Sequence, residues 1–216
     1  MNPLYAILDA DVARARGLDP LALARAFFAG GARFVQVRAK SLPSGPYLEL
    51  CEAVVGAGAP HEALVIVNDR PDVARLAGAA GVHVGQDDLP VEAARRVAGP
   101  HALVGLSTHD PAQIAAGAMT SADYLAVGPV FGTRTKATGY EAVGLDLVRH
   151  AVAAGGGKPV VAIGGITLDT AARLIAAGAS SVAVISDLLA TGDAEARVRE
   201  YVLLLESIER LGGSEK

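Results

Sequence analysis

The sequence predicts an α/β protein built as a single (β/α)8 TIM barrel, and three observations carry that expectation. Short aliphatic runs recur eight times at intervals of roughly 20 to 40 residues, as strands alternating with helices do in this fold. Between them lie Ala-rich stretches with helical spacing, many opened by Pro or Asp as a first helical turn is. The length, 216 residues, suits one domain over 1–216 and is short for two.

The expected strands are "YAIL" (5–8), "FVQV" (34–37), "LVIV" (64–67), "GVHV" (81–84), "LVGL" (103–106), "YLAV" (124–127), "VVAI" (160–163) and "SVAVI" (181–185). Helices are expected in "DPLALARAFFAGGA", "RPDVARLAGAA", "LPVEAARRVAG", "DPAQIAAGA" and "TLDTAARLIAAGA", and "AEARVREYVLLLESIERL" closes the chain as one amphipathic helix. Elements such as "AAGA" and "GGA" put Gly where a helix ends in a left-handed cap. An open doubly wound sheet is the competing fold, but no GxGxxG follows the first strand.

Hydrophobic residues make up 51% of the chain and aromatics only 4%, so the core is expected to rest on Ala, Val, Leu and Ile. A net charge of −4 argues against nucleic-acid and anionic-membrane partners, which attract basic proteins. The single Cys51 makes no internal disulfide, the first residues lack a secretion pattern, and no apolar stretch suits a bilayer. A soluble cytoplasmic protein is the expectation, and a homo-oligomer stays open.

"FVQVRAK" sets Gln36, Arg38 and Lys40 on one side of a strand. Helices cover the outside of a closed parallel barrel, so this polar face is expected to point inward and rise toward the mouth. Active sites of the fold sit at that end, and two cations converging there make an anion site, expected to hold like charges close together until the anion arrives. Asn68 and Asp69 end the third strand in "VNDRPD", and Asp87 and Asp88 follow the fourth in "HVGQDDLP". One carboxylate from each strand end suits Mg²⁺, which takes few protein oxygens and fills its shell with water and phosphate oxygens; each can equally cap the helix that follows.

After the sixth strand, "GPVFGTRTKATGYEAVG" is long and rich in Gly, and offers Thr133, Thr135 and Lys136 as a lid over the mouth. Gly164 and Gly165 follow the seventh strand, and Ile185 and Ser186 end the eighth, where barrels of this kind commonly bind a phosphate monoester. "GLSTHD" supplies Ser107 and His109 without a nucleophile elbow, so His109 reads as a positioning residue and His83 as a hydrogen-bonded interior one.

Taken together and in order, "QVRAK", "VNDR", "GVHVGQDDLP", "GLSTH", "DYLAVGPVFGTRTK", "VAIGGI" and "VAVIS" resemble the thiamine phosphate synthase family over nearly the whole chain. The resemblance implies transfer of the pyrimidylmethyl group of hydroxymethylpyrimidine diphosphate to a thiazole phosphate, with Mg²⁺ as cofactor. By position, it implies that Gln36, Arg38, Lys40, Asn68, Ser107 and Lys136 contact the pyrimidine diphosphate, with Arg38, Lys40, Ser107 and Lys136 acting in catalysis. Asp69 and Asp88 would hold the metal, and Thr133, Thr135, Gly165, Ile185 and Ser186 the thiazole phosphate. Two residues depart from the family pattern: Ala39, where a glutamate is common, and Gly132, where a proline often stands. The alternatives are a thiazole tautomerase of the same barrel, using His109, and a non-catalytic phosphate-ligand sensor.

Overall fold

Eight parallel strands close on themselves: β1 (Leu4–Asp9), β2 (Phe34–Arg38), β3 (Leu64–Asn68), β4 (Gly81–Val84), β5 (Leu103–Thr108), β6 (Tyr124–Val127), β7 (Val160–Ile163) and β8 (Ser181–Val184). Each pairs with the next in sequence, and β8 returns to β1. The open sheet is thereby excluded. This computed structural model describes residues 1–132 and 141–213, and no helix among them is long and apolar enough to cross a membrane.

The helices between strands start where the sequence signals them. Asp19 caps α2 (Pro20–Ala29), its carboxylate accepting from the Ala22 N–H at 2.7 Å, and Asp110 caps α6 (Pro111–Ala118) in the same way through Gln113. Between them lie α3 (Ser44–Gly58), α4 (Pro71–Leu76) and α5 (Val91–Ala98), and beyond them α7 (Gly144–Ala154), α8 (Leu168–Ala176) and the closing α9 (Ala194–Gly213). Gly31 and Gly178 follow α2 and α8 at φ +103° and +97°, the left-handed turn that returns the chain to the sheet. One helix adds to the expected order: α1 (Ala10–Ala15), six residues directly after β1.

Alternation along the strands makes two layers. Leu4, Ala6 and Leu8 of β1 with Val35 and Val37 of β2 belong to the large aliphatic core under the helices. Tyr5, Ile7, Phe34, Ile66 and Tyr124 form a second, separate cluster inside the barrel. Aliphatic residues outnumber aromatic ones in both layers, as the composition suggests, but in the inner one the rings of Tyr5, Phe34 and Tyr124 stand among Ile7, Ile66, Ala126, Val161 and Ala183. Tyr5 stacks on Phe34 with centroids 4.0 Å apart, and Tyr124 meets Tyr5 edge-on at 6.0 Å. Gly105 lies opposite Tyr124, where an added Cβ would come within 2.1 Å of the ring, so a glycine is what admits it.

Candidate active site

Above the aromatic layer, the C-terminal ends of the strands enclose an open-topped cavity. It collects residues that the sequence placed far apart: Gln36 from β2, Ser107 from β5, Gly165 after β7, and Ile185 and Ser186 after β8. His83 and His109 also line it. Gln36 and His83 are buried, as an inward polar face requires. Gly164 and Gly165 turn with φ of +103° and +64°, and a Cβ on Gly165 would lie 2.6 Å from the Gly132 carbonyl oxygen. This turn is tight enough that only glycine fits without moving the start of the loop after β6. Val130 and Phe131 tie that loop start to the same turn by donating to the Ile163 and Gly164 carbonyls at 2.8 and 3.0 Å.

Arg38, Lys40, Asn68, Asp69 and Asp88 are absent from the cavity lining. The two cations are not held as like charges awaiting an anion, which corrects the sequence expectation. Arg38 is paired with Asp9 and Lys40 with Asp69. Strand register explains the first pair, since Asp9 and Arg38 are direct neighbours at the ends of β1 and β2. Asp9 also caps α1 by accepting from the Asp11 and Val12 N–H groups at 3.1 Å. Arg38 is only part-satisfied: its Nε is buried and has no hydrogen-bond partner among the described residues. A guanidinium N–H left over in a buried place is a donor that Asp9 does not use. Asp11 fixes the segment after β2 by accepting from the Lys40 N–H at 2.8 Å and the Ser41 N–H at 3.3 Å. Ala39 is buried in the aliphatic core. Asn68 is buried too, its N–H donating to the Tyr47 hydroxyl at 3.2 Å.

Neither candidate metal ligand caps a helix. The cap positions of α4 and α5 are Arg70 and Pro90, without side-chain caps. Asp69 instead sits at φ +64°, unusual outside glycine, with its N–H donating to the His83 carbonyl at 2.8 Å. Its carboxyl is pushed above the ordinary range by burial first and by contact with the Asp88 carboxyl, against the opposing pull of Lys40. Asp88 is held by the Gly85 N–H, which donates to its Oδ2 at 2.8 Å. Among the described residues no group of three or more His, Cys, Asp or Glu converges. Two touching carboxylates with only oxygen donors fit Mg²⁺, which takes one or two protein carboxylates and completes its shell from solvent and phosphate.

His109 behaves as a positioning residue: its Nδ1 faces the Gly128 carbonyl, so that nitrogen is the donor, and its N–H is held by Gln113 Oε1 at 2.8 Å. His83 is hydrogen-bonded inside the barrel, to Tyr124 and Ser107. Thr133, Thr135 and Lys136 lie outside the described residues. Residues that sequence reasoning missed are Asp9, which ends "LYAILD" at the catalytic end of the first strand, and the Tyr5–Tyr124 pair below the cavity. A carboxylate closing a barrel strand is a signal; two tyrosines 119 residues apart give none.

Known proteins resemble this chain in sequence and in fold. The chain is 48% identical over 180 residues to the thiamine-phosphate synthase of Anaeromyxobacter dehalogenans, covering 83% of this chain and 80% of that one. It is 44% identical over 209 residues to the thiamine-phosphate synthase of Koribacter versatilis, covering 94% and 96%. The solved thiamine phosphate pyrophosphorylase from Pyrococcus furiosus superposes with a TM-score of 0.86 at 30% identity, over 96% of each chain. The model of the family described as thiamine monophosphate synthase matches residues 4–188, most of the barrel, and the chain belongs to that family.

Proposed function

We propose that this chain is a thiamine phosphate synthase, joining hydroxymethylpyrimidine diphosphate to a thiazole phosphate with release of diphosphate. The observation that carries the reading is one cavity at the C-terminal ends of the strands that gathers Gln36, Ser107, Ile185 and Ser186 with a glycine turn suited to a phosphate.

In the reaction, the carbon–oxygen bond to diphosphate breaks and the electron pair leaves with the diphosphate. The methylene cation that remains is stabilised by the electron-rich aminopyrimidine, and the thiazole nitrogen donates its lone pair to form the new carbon–nitrogen bond. Arg38 offers its guanidinium to the departing oxygens, and Lys40, with a side chain 56% exposed, can swing from Asp69 to the same anion. Mg²⁺, held by Asp69 and Asp88, would neutralise charge on the diphosphate. Gln36, Asn68 and Ser107 orient the pyrimidine, with Lys136 from the loop after β6 as a further contact. Thr133, Thr135, Gly165, Ile185 and Ser186 receive the thiazole phosphate. The walls of Ile163, Val161 and Ile185 keep water from the cation.

The tautomerase alternative has no need of a metal–diphosphate site, and the contact of Asp69 with Asp88 and Lys40 favours the synthase. The direct test is incubation with both substrates and Mg²⁺: thiamine phosphate and diphosphate are expected in equal amounts, and consumption of neither substrate overturns the reading.

The two ends of the site are expected to be separable. Ser186→Ala should raise the Michaelis constant for thiazole phosphate by about tenfold, the cost of one hydrogen bond to a charged group. Gly165→Ala, which pushes against Gly132, should do the same and more, because it displaces the turn itself. Steady-state kinetics with each substrate varied in turn checks this. A rise confined to the pyrimidine diphosphate would reverse the placement of the two substrates.

A further inference from the structure

Five side chains cross the floor of the cavity in one hydrogen-bonded line. Gln36 Nε2 donates to the Tyr5 hydroxyl at 2.8 Å, and the Tyr5 and Tyr124 hydroxyls lie 3.0 Å apart. The Tyr124 hydroxyl is 3.1 Å from His83 Nδ1, and His83 Nε2 is 2.9 Å from Ser107 Oγ. The residues come from five different strands, and the first four are buried. His83 also stacks on the Tyr124 ring at 5.5 Å, which fixes its plane.

The line has a direction, because a phenol carries one proton. Tyr5 accepts the amide N–H of Gln36, so its own proton goes to its other partner, the Tyr124 oxygen. Tyr124 then passes its proton toward His83 Nδ1, which must present a lone pair. The ring proton is left on Nε2 and is donated to Ser107 Oγ. That leaves the serine O–H to turn toward the cavity. The reverse order would make Tyr5 accept from both Gln36 and Tyr124 and leave its buried proton with neither of them to donate to. Burial pushes both phenols well above their ordinary pKa, so neither gives up the proton that sets the direction.

We infer that Gln36, Tyr5 and Tyr124 are positioning residues that hold His83 as its Nε2–H tautomer and so make Ser107 a hydrogen-bond donor to the substrate. The substrate atom opposite Ser107 is then an acceptor, a pyrimidine ring nitrogen or a phosphate oxygen, and not an amino group. The identity of that ligand rests on the proposed function; the direction of the line does not.

The test therefore begins on the ligand-free protein. In a two-bond proton–nitrogen correlation spectrum of protein labelled at histidine nitrogen, with the ring assigned through its loss in His83→Gln, His83 is expected to show a protonated Nε2 and a bare Nδ1 at neutral pH. A protonated Nδ1, or a doubly protonated ring, overturns the inference whether or not the protein makes thiamine phosphate. The functional arm compares two variants. His83→Gln keeps an N–H where Nε2–H stood, and is expected to retain turnover about tenfold above His83→Leu, which offers Ser107 nothing. Equal turnover in the two variants would mean that His83 serves packing alone.

Discussion

Asp88→Asn is expected to lower turnover by about two to three orders of magnitude, the scale of losing a preorganised charge-stabilising group at the point where charge develops. It should do so without weakening the fold. Asparagine keeps an oxygen for the Gly85 N–H that now donates to Asp88 Oδ2, so the turn after β4 survives. What disappears is the like charge touching Asp69, whose carboxyl burial and Asp88 together hold above the ordinary range. A carboxyl with a raised folded pKa contributes stability that is present below its unfolded value and lost as pH rises through the folded one. The ligand-free parent thus carries a penalty at neutral pH that the variant is relieved of, and the unfolding midpoint of Asp88→Asn should equal or exceed the parent's there, with the difference vanishing in acid. Turnover of the parent should stop in excess chelator and return with Mg²⁺. Full activity with chelator present would remove both carboxylates from the metal site.

How far the sequence discloses such a site depends on the range of the contacts that make it. The strands are legible because buried parallel strands are aliphatic on both faces, so runs such as "LVIV" and "VVAI" stand out without any partner being known. Barrel closure then brings Gln36, Ser107, Gly165 and Ser186 to one cavity, as the order of strands requires. Helix α1 stays hidden because six residues are too few for a 3.6-residue period to declare itself. The partners of the cations stay hidden for a different reason. Asp9 meets Arg38 through the register between β1 and β2, and Lys40 meets Asp69 just past the ends of the paired strands β2 and β3, whereas the sequence shows only that Gln36, Arg38 and Lys40 share a face. Alternation gives the direction of a side chain and says nothing of what waits there.

Arg38→Gln makes that difference measurable. Had the arginine been an unpaired cation, neutralising it would have cost little stability. Its pairing with Asp9, whose side chain is 1% exposed, reverses the expectation. The variant leaves a buried carboxylate whose partners among the described residues are the Asp11 and Val12 N–H groups, and stability should fall by roughly 2–4 kcal/mol. Turnover should fall by about two orders of magnitude as well, since the guanidinium is lost from the leaving-group side of the site. Arg38→Lys keeps a charge for Asp9 and should recover much of the stability, yet little of the turnover, because an ammonium cannot hold Asp9 and a phosphate oxygen with one planar fork. The deciding variant is the double change Asp9→Asn with Arg38→Gln. Removing both charges relieves the buried carboxylate, so the unfolding midpoint should return toward the parent while turnover stays low. If turnover returned together with stability, Arg38 would be a structural partner of Asp9 alone, and the diphosphate would have to be held by Lys40 and the metal without it.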